Sequence, residues 1–227
     1  MNGELSRERA FAPAADRDTR RIDRMVTQPR TVTRMGHAAV ARRSRPSRLT
    51  LWMGRFSERR VLHGLPVTIS EGSAVVEPLF EKLRDALDFI RQHDARALDE
   101  LINHTDGVFV FGTTGGFPAE WWRDERLVVL QREHVCDKAT VSTDLAVTLA
   151  HEATHVWLER LGFVYAADRR VRIEAICNRR SLRLARRLPN SEQLVRSVEQ
   201  RLQLGPEYLT DRAMERGGAP PPHALHC

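Results

Sequence analysis

A chain of 227 residues is long enough for one well-buried core with tails. Its 41% hydrophobic and 29% charged residues mark a globular protein and exclude fibrous or wholly disordered classes. A net charge of +6 and a pI near 10.0 permit an acidic partner. The excess is nearly all arginine, with Lys82 and Lys138 the only lysines, a bias that reflects genome composition before function.

The cysteines Cys136, Cys177 and Cys227 are odd in number, scattered and free of any CxxC pair. Neither a disulfide framework nor a Cys-rich zinc site is indicated, and a reducing compartment is expected. No run approaches the ~18 apolar residues of a membrane span, and the start has no apolar signal core. The expectation is a soluble, cytoplasmic protein.

Residues 1–48 carry twelve arginines against five acids and no apolar period able to bury a face. They are expected to form a disordered arginine-rich extension, followed by a folded domain at 49–210 and a flexible Gly/Pro-rich tail at 211–227. RRVLHGLPVTI, 59 to 69, predicts one or two short strands interrupted by Gly64 and Pro66. Glu77 to Ile102 spaces Leu79, Leu83, Leu87, Ile90, Leu98 and Leu101 as an amphipathic helix, broken near His93.

GVFVFG, 107 to 112, and RLVVLQ, 126 to 131, read as strands joined through Gly115, Gly116 and Pro118. Ser142, Thr143 and Asp144 are N-cap candidates for a helix that runs to Leu161 and ends at Gly162. A second helix spans Asp168 to Leu188 before Pro189, and a third runs from Asn190 or Ser191 to Gly205.

The chemistry lies in TLAHEATHVWLERLGF, which holds His151, Glu152 and His155 as HExxH. Side chains four apart share a helical face, so the two imidazoles converge on one ion. Glu152, a quarter turn away, reaches a metal-bound water instead of the metal. Neutral imidazoles bind Zn²⁺, the ion acidifies its water, and the carboxylate takes the proton.

HExxH arises by chance in roughly 2 to 3 of a hundred chains of this composition, so context has to decide. Leu145, Ala146, Val147, Leu149, Ala150, Ala153, Val156, Trp157, Leu158 and Leu161 cover most of the helix circumference. Such a helix is buried, and buried imidazoles require partners that a single ion supplies. The alternative is a pair of core histidines bonded to carbonyls.

A catalytic zinc takes three protein ligands and keeps one position open. Glu174 is the leading third ligand: it shares a helical face with Val171, Cys177, Asn178, Ser181, Ala185 and Leu188, opposite Arg172, Arg179, Arg183 and Arg186. A carboxylate on an inner face is costly unless paired or metal-bound. Asp168 in the linker competes, whereas a straight helix carries Glu159 about 6 Å past His155.

HEATH followed by a glutamate in RIEAICN resembles the gluzincin group of zinc metallopeptidases. EAICNRRSLRLARRLP is also similar to the Glu-x-x-Ala-Asn opening of ImmA/IrrE-type metallopeptidases, with Cys177 where alanine is usual. The likeness covers about residues 126 to 189. It implies an α+β, zincin-like fold over 49–210, with a small mixed or antiparallel sheet on the active-site helix, and one Zn²⁺ per chain held by His151, His155 and Glu174.

By the same resemblance Asn178, where thermolysin-like members carry an acid, accepts a hydrogen bond from the first histidine. An edge strand before the active-site helix binds extended peptide; Arg126, Leu127, Val128, Val129, Leu130 and Gln131 are the candidates. Tyr165 and His134 are available as oxyanion donors, while Cys177 reads as a small core residue.

The expected activity is cleavage of a peptide or protein substrate by water that Glu152 activates. One alternative is a regulatory or nucleic-acid-associated protein whose zinc site serves regulated proteolysis or structure. The basic stretches contain no interleaved aromatics for base stacking. Another is a zinc hydrolase acting on a different bond, because HExxH specifies water activation and not the bond cut.

Overall fold

The computed structural model describes residues 57–70, 76–112, 117–166 and 168–203. All belong to one compact unit, Ser44–Cys227. The expected extension at 1–48 and tail at 211–227 lie outside the described residues.

The described chain runs β1 (Ser57–Leu62), β2 (Leu65–Ser70), α1 (Val76–His93), α2 (Ala95–His104), β3 (Gly107–Phe111), β4 (Ala119–Trp122) and β5 (Leu127–Gln131). It continues through α3 (Arg132–Cys136), α4 (Ser142–Arg160), α5 (Arg170–Ala185) and α6 (Glu192–Gln203). The fold is mixed α+β, with a five-stranded sheet in the order β1-β2-β3-β5-β4. β2, β3 and β5 are parallel neighbours, while β1 and β4 pair antiparallel at either side.

The continuous apolar runs of β3 and β5 follow from burial on both faces, as expected of central parallel strands. Val108, Val110, Val128 and Leu130 join the main core beneath the helices, whereas Phe109, Leu127 and Val129 form a smaller cluster with Phe111 and Trp122. Gly107 lets β2 and β3 approach closely: its φ is 143°, and a Cβ there would stand 2.4 Å from the Pro66 carbonyl oxygen.

The predicted break near His93 falls at Asp94, which caps α2 by accepting the Ala97 N–H at 3.2 Å. The same carboxylate receives Arg180 of α5 in a two-point contact, Nε to Oδ2 at 2.9 Å and Nη2 to Oδ1 at 3.0 Å. Burial pushes the Asp94 carboxyl up, but the Arg180 bonds and charge outweigh it and leave the net shift downward. Among the described residues no helix is long and apolar enough to cross a membrane.

Removing Asp94 strands the guanidinium of Arg180, a residue only 7% exposed, and uncaps α2. Asp94→Ala should cost about 3 kcal/mol in urea denaturation. A loss below about 1 kcal/mol, the scale of a surface pair, would contradict the role assigned to this contact.

Candidate metal centre

α4 is buried nearly all round, with Leu145, Ala146, Val147, Leu149, Ala150, Ala153, Val156, Trp157 and Leu158 in the core. It packs against α1, α2, α5 and β4. Its N-cap is Val141 and not one of the three polar candidates; Asp144 instead reaches back to accept the Val141 N–H at 2.9 Å. At the other end Gly162, at φ 83°, donates to Glu159 O at 2.8 Å, and Phe163 donates to Leu158 O at 3.0 Å. That Schellman turn satisfies the last carbonyls and sends the chain back into α5.

The fold-back places Glu174 against both histidines. His151 Nε2 lies 3.1 Å from Glu174 Oε2, and His155 Nε2 lies 3.4 Å from Oε1. The two Nε2 atoms stand 3.2 Å apart, with ring centroids 5.0 Å apart. Side-chain exposures of 17%, 14% and 14% leave these groups nearly dry. Zinc ligands about 2.0–2.1 Å from a tetrahedral ion stand roughly 3.3 Å from one another, which is the spacing of these groups. Two imidazoles and a carboxylate are also a donor set suited to zinc.

Cys177 is a second candidate beside Glu174, because its Sγ and the donor atoms of His151 and His155 all lie within 4.8 Å of one another. Glu174 is the better third ligand on distance, already standing at the tetrahedral spacing. Burial pushes the Cys177 thiol well above its ordinary value.

The two carboxyls near the histidines titrate far apart. Burial lifts Glu152 to about 7, aided by the charges of Glu174 and Glu120 and opposed by His151 and a hydrogen bond from the Trp121 main chain. Burial also acts to raise Glu174, but bonds from His151 and Tyr165 and the charges of both histidines bring it down to about 2. Burial and the neighbouring His151 lower His155 to about 4. Tyr165 donates to Glu174 Oε1 at 2.6 Å and packs edge-on against His155 with centroids 5.4 Å apart. Burial and the Glu174 charge raise this phenol, so it stays a neutral donor although its residue is 45% exposed.

Several sequence expectations fall elsewhere. His134 belongs to the α3–α4 corner, where its Nδ1 meets Thr140 Oγ1 at 3.3 Å and burial lowers its pKa. Asn178 is buried on α5, but its Oδ1 has no hydrogen-bond partner, so it does not orient a histidine. Asp168 pairs with Arg169 and is 73% exposed. Glu159 binds Trp121 Nε1 at 2.7 Å and Arg123 Nε at 2.8 Å, outside the histidine cluster.

The edge-strand expectation needs the largest correction. The segment Arg126 to Gln131 supplies β5, which is paired on both sides by β3 and β4. The edge on this side is β4, a strand the sequence reading treated as connection. Four residues are too few to display a strand period, and AEWW directly follows the Gly/Pro cluster. The available signal was the adjacent tryptophans Trp121 and Trp122 in a chain with only four. Trp121 ties β4 to α4 twice, by its main chain to Glu152 and by its indole to Glu159.

No family model, curated protein or solved structure matches the chain.

His155 gives a test in the metal-free protein. Its folded pKa, about 4, lies below the ordinary 6.5, so as pH falls the unfolded chain takes up the proton first. Its contribution to stability is complete above about 6.5 and is lost toward about 4. Glu152, raised to about 7, works in the opposite direction over this range. Denaturation in chelator at pH 7 and pH 5 should therefore compare wild type with His155→Gln. Wild type should lose about 1 to 2 kcal/mol more than the variant. Equal losses would show that His155 is not held neutral.

Proposed function

We propose that the chain is a zinc-dependent hydrolase, and most specifically a zincin-like metallopeptidase, with His151, His155 and Glu174 as metal ligands and Glu152 as base. The observation that carries this reading is the convergence of two imidazole Nε2 atoms and the Glu174 carboxylate at 3.1–3.4 Å within a nearly dry interface. A zinc ion held there supplies a Lewis acid that lowers the pKa of water toward neutrality.

The chain's own groups divide the remaining work. Glu152 sits next to His151 in sequence and is only 6% exposed, and its carboxyl is poised at about 7. It accepts a proton from the attacking water and returns it to the leaving amine. The Tyr165 hydroxyl, beside His155 and Glu174, is a neutral donor placed to turn toward an oxyanion. β4 offers an extended peptide an edge to pair with, next to the helix that bears the base.

Three arginines of α5 and the turn after it are committed within the fold and so offer less to a polyanion. Arg180 is engaged by Asp94, Arg186 by Glu199 at 2.7 Å, and Arg187 by the His93 carbonyl at 2.8 Å. An arginine committed within the fold has less to offer phosphate.

Elemental analysis of protein expressed with ample zinc should find about one zinc per chain. His155→Ala and Glu174→Ala, each made in a Cys177→Ala background so that the neighbouring thiol cannot take the vacated position, should lose it. Glu152→Gln should retain the zinc while cleavage of a peptide library, read by mass spectrometry, falls at least about a hundredfold. Zinc-free wild type would overturn the proposal, and full zinc occupancy in Glu174→Ala would remove that ligand. Zinc-loaded wild type that leaves every peptide intact would redirect the reading to another scissile bond.

A further inference from the structure

Cys177 has no part in the chemistry above, yet it stands at its centre. It follows Glu174 by three residues on the inner face of α5, and its side chain is fully buried. Its sulfur shares a 4.8 Å neighbourhood with the donor atoms of His151 and His155. Those two Nε2 atoms independently face one another at 3.2 Å, as two ligands of one ion do.

We propose that Cys177 is a fourth ligand of this centre, closing it in a His151, His155, Glu174 and Cys177 set that opens when water replaces the sulfur. The proposal rests on the metal-site reading above and adds regulation to it. Four protein ligands give a closed zinc site, whereas three leave the position that hydrolysis requires. A tetrahedral ion with Zn–S of about 2.3 Å places sulfur roughly 3.6 Å from an imidazole nitrogen. The sulfur is within 4.8 Å of both nitrogens, so rotation about one side-chain bond is of the right scale to close the remaining gap.

The ligand exchange balances simply. As the sulfur lone pair binds, the thiol proton is released to solvent and one water leaves the ion. The reverse step restores the thiol and the water, and no electrons are transferred. The closed form should dominate without substrate, since thiolate is the softest donor available to zinc here.

X-ray absorption at the zinc edge of the full-length, zinc-loaded chain should show one sulfur at about 2.3 Å beside nitrogen and oxygen neighbours. Cobalt substitution should give a sulfur-to-metal charge-transfer band. Cys177→Ala and Cys177→Ser should each lose the sulfur shell and the band while keeping about one metal per chain. Wild type with bound zinc and only nitrogen and oxygen neighbours would overturn the proposal and leave the His151, His155 and Glu174 site standing. Wild type that binds neither zinc nor cobalt would overturn the underlying site itself. The decisive spectrum is that of wild type, so a variant that fails to fold does not remove the test.

Discussion

The structure depends on one contact, the Glu174 carboxylate held between the imidazoles of His151 and His155. An ionised carboxylate in a nearly dry interface is costly, and here it is offset by hydrogen bonds from His151 and Tyr165, with His155 close by at 3.4 Å. The contact exists only if α4 is surrounded and α5 returns across it. The first condition follows from the apolar circumference of α4 and the second from the Gly162 turn.

The surrounding fold fixes this contact through direct charged bonds at two places. Asp94 grips Arg180, two turns beyond Glu174 on α5, and so anchors that helix to the start of α2. Glu159 grips Trp121 and Arg123, and so holds β4 against α4 beyond His155. Asp94 meets a single guanidinium at two points, which fixes orientation as well as distance, whereas Glu159 takes one bond from each of two residues. The centre is thereby positioned by the protein's own bonds.

The legible parts of this molecule were those with long periods or fixed spacing. The apolar spacing in α1, the glycine after α4 and the His-x-x-x-His interval all survive in the structure because each reflects backbone geometry alone. The inner-face position of Glu174 was legible as well, since it shares that face with Cys177, Asn178, Ser181 and Ala185. Partners that depend on tertiary contact were not. Arg180 looked like one more surface arginine until α2 brought Asp94 to it, and Asn178 sits one turn from Glu174 without a hydrogen-bond partner for its Oδ1. The four residues of β4 are too short to carry a pattern, so the sheet edge was assigned to its more apolar neighbour, β5.

The two glutamates show how environment separates roles within one residue type. Glu174 receives two imidazoles and a phenol, stays anionic to about 2, and is therefore charged across any ordinary pH. Glu152 is buried beside other carboxylates with less help from donors, and is lifted to about 7, where a proton is gained or lost at little cost. A base must release what it accepts, and a ligand must not compete with protons. Sites that push two acids apart in this way thereby assign them different work. On the proposed reading, burial without partners makes Glu152 the proton carrier, and burial with partners makes Glu174 the anchor.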